Sequence, residues 1–289
     1  MLVKINSPEE IKKHKNYTKD YDEIMPDVQK PEIVQNIANH LEPAKMFDEM
    51  FTQEEIEWIY GFAFSRCGVV RHNANGTIFV SGNLEGVYKR FRSKINEILP
   101  GAGSSPIVGG NFFITPSQYG LHNDSMRQSD WELSLQYSDR DHHTRKYVPW
   151  RNVIIPIMVS WPDAVSHAVF FKQRHIDWSH VYNNGGKIKS ATTYAVVDDH
   201  SKIDFHTLEG KQSGQDNLKP YDKEHYEQYL KYTPYERLAG LEPELTCEWK
   251  PKCPIVFDAF QLHATNKGYP GREWNIKMGL LLCFLREVK

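Results

Sequence analysis

The sequence has no apolar run long enough to cross a bilayer. Its longest, Met278–Leu285, falls far short of the roughly 20 residues a membrane helix needs. Its opening residues, Met1-Leu-Val-Lys-Ile-Asn, lack an apolar signal core, so no secretory leader is expected. There is also no basic run that would track phosphates. Lys12–Lys15 and Lys89–Lys94 read as solvated helix faces, and the net charge is −2, which argues against a nucleic-acid partner. The four cysteines, Cys67, Cys247, Cys253 and Cys283, contain no C-x-x-C pair. That excludes a zinc ribbon or thioredoxin motif and leaves free thiols in a reducing cytoplasm as the expectation.

What remains is a globular composition, 40% hydrophobic and 25% charged over 289 residues, enough to bury a core without staples. The expected organisation is one domain over 1–289, with a mainly helical support at 1–104 and a β core at 105–289. A lid-like insertion at about 199–246 interrupts the core.

Helix signals dominate the first third. Ser7-Pro8-Glu9-Glu10 and Thr52-Gln-Glu-Glu55 are capping sequences. Ile56, Ile59, Tyr60 and Phe64 recur at helical spacing behind the second, and Val87, Phe91, Ile95 and Leu99 mark another helix, from near Asn83 to Pro100-Gly101. After Pro100 the period changes. Strands are expected at Asn111–Thr115, Asn152–Trp161, His167–Lys172, Ala191–Val197, Pro254–Phe257 and Asn275–Leu285. Pro156 predicts an edge or a bulge in the second of these. A helix is expected over Asp222–Lys231. Many strands without alternating helices predict a mainly β fold with flanking α, an antiparallel sandwich or jelly roll.

A facial metal site takes two imidazoles and one carboxylate and leaves positions open. H-x-D or H-x-E supplies two of these from one strand, because residues two apart point the same way. The pattern alone says little: four such pairs occur, at His40–Glu42, His122–Asp124, His175–Asp177 and His225–Glu227. The first and last lie in helical or lid-like sequence, where i and i+2 diverge. His122–Asp124 follows a good strand and the turn Pro116–Gly120, and leaves chain enough to close a barrel before a third ligand. His175–Asp177 competes with it. The expected third ligand is His263, the last histidine, in a strand-turn-histidine sequence from Pro254.

Lys277 adds a second signal. It is the one charge in Ile276–Leu285, and a lysine buried in a strand is costly unless it meets a carboxylate. Glu273 and Glu287 lie outside that run, so an incoming carboxylate would supply the partner. A lysine snorkelling towards Glu273 is the plainer alternative.

These pieces together resemble the Fe(II)/2-oxoglutarate-dependent oxygenases, nearest their prolyl-hydroxylase-like branch. The matching segments are Tyr119-Gly-Leu-His122-Asn-Asp124, Trp249 through His263, and Lys277-Met-Gly-Leu-Leu-Leu-Cys-Phe, within a resemblance that spans about 105–289. It implies a double-stranded β-helix buttressed by N-terminal helices, with iron held by His122, Asp124 and His263. It also implies 2-oxoglutarate with its distal carboxylate on Lys277, and oxygen at the open position. Lys277 follows His263 by 14 positions, a longer gap than is usual in that branch. Arg272 therefore stands as the alternative partner, and Tyr119 as a weaker cosubstrate contact. The activity implied is hydroxylation or desaturation of a small molecule, an amino acid or a peptidyl proline, with release of succinate and CO2. A carboxylate at Asp124 argues against halogenation, which needs that position vacant. The rival readings are a jelly-roll binding protein without chemistry and a cupin-like metalloenzyme that does not use 2-oxoglutarate.

Overall fold

In the computed structural model, the described residues are 40–66, 69–72, 77–81, 84–105, 107–115, 119–122, 124, 147–160, 165–175, 191–195, 202–206, 219–231, 233, 235–266 and 276–287. The expected cap at Ser7, Cys67, Asp177 and Arg272 lie outside them.

Thr52 caps helix α1 (Gln53–Arg66). The Glu55 amide donates to Thr52 Oγ1 at 3.3 Å, and the Thr52 amide donates to Glu55 Oε2 at 2.8 Å, the reciprocal pair that satisfies two free donors at a helix start. The buried stripe of α1 is Ile56, Ile59 and Ala63. Tyr60 and Phe64, expected on that stripe, instead face solvent and pack on one another at 4.9 Å. Helix α2 (Glu85–Ile98) buries Val87, Phe91 and Ile95 as its period predicts.

The helical reading of the first third overlooked three short strands, β1 (Lys45–Met46), β2 (Val69–His72) and β3 (Ile78–Ser81). They are too brief to show a period and are held by their neighbours in the sheet. The later strands are β4 (Ile107–Thr115), β5 (Tyr119–His122), β6 (Tyr147–Val159), β7 (His167–His175), β8 (Ala191–Ala195) and β9 (Lys202–His206). After them come β10 (Pro243–Glu248), β11 (Ile255–Asp258), β12 (Gln261–Thr265) and β13 (Lys277–Glu287).

Among the described residues, one sheet runs β1-β11-β6-β13-β4-β3-β2 and the other β5-β12-β7-β8-β9, with β10 also paired to β7. All pairings are antiparallel, and the two sheets face each other as a double-stranded β-helix, or jelly roll. Alternation along β13 sorts its side chains into two layers. Met278, Leu280, Leu282 and Phe284 pack outward against α1 and α2. Leu281 and Cys283 point inward to meet Ala168, Phe170 and Cys247 of the opposite sheet.

Pro156 is not at an edge. β6 lies between β11 and β13, and its pairing with β13 shifts register between Met158 and Pro156. A bulge there accommodates the missing amide donor, the second of the two roles expected for it.

The insertion at 199–246 is partly built into the fold. β9 pairs with β8 and β10 pairs with β7. The expected helix over 222–231 is one α-turn, Lys223–His225, followed by a π-helical turn, Tyr226–Leu230. Tyr221, Leu230, Leu238 and Leu241 pack on Val169, Phe171, Leu262 and Ala264. That is the outer face of the second sheet, opposite the face carrying Phe170 and His263. Among the described residues no helix is long and apolar enough to cross a membrane.

Candidate metal centre

β5 ends at His122, and His263 sits directly across from it on β12. Asp124 follows two residues later. The three side chains converge: His122 Nε2 lies 3.6 Å from Asp124 Oδ1, and His263 Nε2 lies 3.3 Å from Asp124 Oδ2. One donor atom from each lies within 4.8 Å of the others.

Local irregularity aims His263. Register shifts flank it on both sides, between Gln261 and His263 against β7 and between His263 and Thr265 against β5. Such shifts re-aim a side chain out of regular alternation. His263 is buried; Phe170 stacks on its ring at 5.2 Å and Phe257 meets it edge-on at 5.0 Å. Its Nδ1 lies 3.0 Å from the Gln261 carbonyl. A carbonyl only accepts, so Nδ1 carries a proton and Nε2 is the nitrogen turned to Asp124. Burial pushes the Asp124 carboxyl up. The charge of His263, its hydrogen bond and the charge of His122 outweigh burial and hold the group below the usual carboxylate range.

Two imidazoles and one carboxylate, with donor atoms turned towards a common point, fit a divalent metal with open coordination positions. The competing pairs are placed differently. His175 ends β7; Phe170 is the residue opposite His263, so His175 is five positions away, roughly 16 Å along a strand. His225 is engaged elsewhere, between the Tyr221 hydroxyl at 2.8 Å and Thr246 Oγ1 at 2.9 Å. Glu42 lies near the Arg151 guanidinium, 4.0 Å away.

Lys277 opens β13 and is buried. Its Nζ donates to Ser166 Oγ at 3.2 Å and lies 5.3 Å over the Trp249 ring. It makes no ion pair with a carboxylate among the described residues, and burial pushes its pKa down to about 7. Glu273, towards which the snorkelling alternative would turn it, lies outside the described residues. Two positions on from Lys277, Gly279 lets two rings approach the backbone closely, since a Cβ there would lie 2.6 Å from Phe113 and 2.7 Å from Trp249. Tyr119 lies on β5 opposite Thr265.

The sequence reading missed the polar supports of this region. Asp258 takes Arg151 on one oxygen and Arg174, at 2.8 Å, on the other, and all three are buried. Arg151 also donates to the Glu42 carbonyl at 2.8 Å, and Asp258 accepts from the Glu42 amide at 3.2 Å. Gln261 donates to the Phe171 carbonyl at 2.9 Å and to Glu244, and accepts from the Asp258 amide at 3.3 Å. A signal was available for Arg151, which interrupts a largely apolar strand, but not for Arg174, which sits in the polar end Lys172-Gln-Arg-His175 of β7.

No family model matches the chain, and no curated protein matches it. Among solved structures it is similar to the non-heme alpha ketoglutarate dependent epimerase SnoN from nogalamycin biosynthesis. The match has 8% identity and a TM-score of 0.43, covering 88% of this chain and 84% of that one. It is also similar to HygX from Streptomyces hygroscopicus with nickel and 2-oxoglutarate bound, at 9% identity and a TM-score of 0.39, covering 86% and 85%. A third similar structure is a Pseudomonas putida prolyl-4-hydroxylase, at 12% identity and a TM-score of 0.34, covering 88% and 96%.

Proposed function

We propose that the protein is a non-haem Fe(II)- and 2-oxoglutarate-dependent dioxygenase. It hydroxylates or desaturates a small molecule, an amino acid or a peptidyl proline, and works in the cytoplasm. The observation that carries this reading is the combination of a His-Asp-His cluster with a buried lysine that has no carboxylate among the described residues. A metal alone would explain the first. An acidic cosubstrate would give the second its partner.

His122, Asp124 and His263 would hold the iron, and Lys277 would pair with the distal carboxylate of 2-oxoglutarate. Iron, when bound, would activate O2, whose four oxidising equivalents would be divided between 2-oxoglutarate, converted to succinate and CO2, and the substrate, which would exchange a hydrogen for a hydroxyl or lose two hydrogens as water. The protein supplies orientation. Phe170 and Phe257 hold the His263 ring and keep water from it, the Gln261 carbonyl fixes its tautomer, and Ser166 steadies the Lys277 ammonium. Asp124 would fill the coordination position that a halide would need, which favours hydroxylation or desaturation.

The test is succinate release against a substrate panel, with and without Fe(II), alongside anaerobic titration of 2-oxoglutarate into the iron-loaded protein. Stoichiometric iron binding with a visible chelate band on adding 2-oxoglutarate supports the reading. A protein that binds iron but neither binds nor consumes 2-oxoglutarate refutes it.

A further inference from the structure

Asn152 lies on the central strand β6, opposite Cys283 of β13 and Phe257 of β11. Both neighbours belong to the apolar layer between the sheets, as does Ile154 two positions on. Asn152 is fully buried. From the seven-stranded sheet its Nδ2 donates to the main-chain carbonyl of Asp124 at 3.3 Å. The amide orientation is fixed by that bond, because a carbonyl accepts only from the nitrogen end. Its Oδ1 then has no partner among the described residues.

A buried carboxamide with a bare oxygen is a poor choice for the fold, because an unsatisfied acceptor carries its full desolvation cost. Leucine, similar in bulk, would serve the apolar layer better. Polar groups kept against the interest of stability concentrate where function needs them. The feature Asn152 serves is Asp124, which lies beyond the end of β5, outside that strand's ladder, yet must present its carboxylate to two imidazoles at once.

We propose that Asn152 is a positioning residue for the metal centre. It ties the Asp124 main chain to the opposite sheet and so sets where the carboxylate meets the metal. This rests on the reading of His122, Asp124 and His263 as metal ligands. The centre is thereby held from both sheets: His122 and His263 by the ladder of the second sheet, and Asp124 by a cross-strut from the first.

The experiment compares Co(II) binding and the Co(II) d–d absorption spectrum in the wild type, Asn152→Leu, Asn152→Ser and His122→Ala, with the thermal midpoint of each metal-free protein. Supporting residues around metal ligands change affinity by about 10- to 100-fold. Asn152→Leu is expected to lose Co(II) affinity in that range and to shift the d–d bands, while its metal-free thermal midpoint stays level or rises. Asn152→Ser, which cannot span the gap, is expected to show the same loss. Wild-type affinity and spectrum in both variants would overturn the proposal. So would a loss of affinity that only tracks a fallen thermal midpoint in both, since that marks a structural role. His122→Ala separates the two readings. If it too binds Co(II) like wild type, the metal centre itself is misassigned; if it alone loses binding, only the role of Asn152 fails.

Discussion

His122 and His263 face each other across the β5–β12 ladder with ring centroids 4.2 Å apart, although 141 positions separate them in sequence. Their contact makes a direct expectation about metal binding. The wild type should take up one equivalent of Fe(II), Co(II) or Ni(II), and His122→Ala or His263→Ala should each weaken it by at least 100-fold. His175→Ala should bind like wild type. Isothermal titration with Ni(II) checks all three, and retention of binding in His122→Ala with loss in His175→Ala would move the site.

Lys277 makes two linked expectations. Lys277→Met should weaken 2-oxoglutarate binding by about 10- to 100-fold, because a charge-assisted bond to a buried carboxylate contributes about 1.5–3 kcal/mol. Metal affinity should barely change, and Arg272→Met should bind 2-oxoglutarate normally. Titrating the iron-chelate absorption band under nitrogen measures each variant.

The second expectation concerns pH. The folded Lys277 has its pKa pushed down to about 7, below the ordinary 10.5. Between those values the unfolded chain holds the extra proton, so this group makes the ligand-free fold more stable as pH rises through that window. Below pH 7 lysine is charged in both states and the burial cost is full. The stability gain of Lys277→Met over wild type should therefore be largest near pH 6.5 and smaller near pH 9. Urea denaturation at both pH values, without ligand, reads it; an equal gain at both would show that Lys277 is not desolvated.

Asp258→Asn should be strongly destabilising. It leaves Arg151 and Arg174 buried with the shared carboxylate gone, a change that costs about 3–5 kcal/mol when one partner of a buried pair is lost. Chemical denaturation gives the magnitude. A cost under 1 kcal/mol would mean that water reaches the cluster.

Gly279→Ala should cost about 1–3 kcal/mol by overpacking, since the new methyl would meet Phe113 and Trp249 at under 3 Å. It should also reduce 2-oxoglutarate affinity, because Trp249 lies under the Lys277 ammonium. Thermal denaturation and the anaerobic titration measure the two effects separately.

The strand-rich half and the capping box at Thr52 were legible because they rest on residue pattern and local chemistry, and β13 because it is one apolar run. Position alone favours His122–Asp124 among four candidate pairs and, separately, His263 as the last histidine, and the fold brings those three together. What sequence hid was nonlocal. β1 to β3 exist through pairing partners, Tyr60 and Phe64 turn outward because α1 is covered on one side, and Pro156 lies in a central strand because a bulge absorbs it. Asn152 and Ser166 carry no pattern at all; their roles depend on what lies across the interior. Tyr221, Leu230, Leu238 and Leu241 of the 199–246 segment pack on the outer face of the second sheet, a placement that its polar, tyrosine-rich composition could not distinguish from a cover over the metal.

β13, the strand latest in sequence, is threaded between β4 and β6. Until the ribosome has delivered it, those two strands have no common neighbour, and each shows an open hydrogen-bonding edge beside apolar side chains. Vectorial synthesis therefore leaves the nascent chain with two sticky edges until β13 has emerged. A chaperone that guards strand edges would be needed longest here, and a chain cut short before Lys277 should accumulate as aggregate rather than as a smaller folded protein.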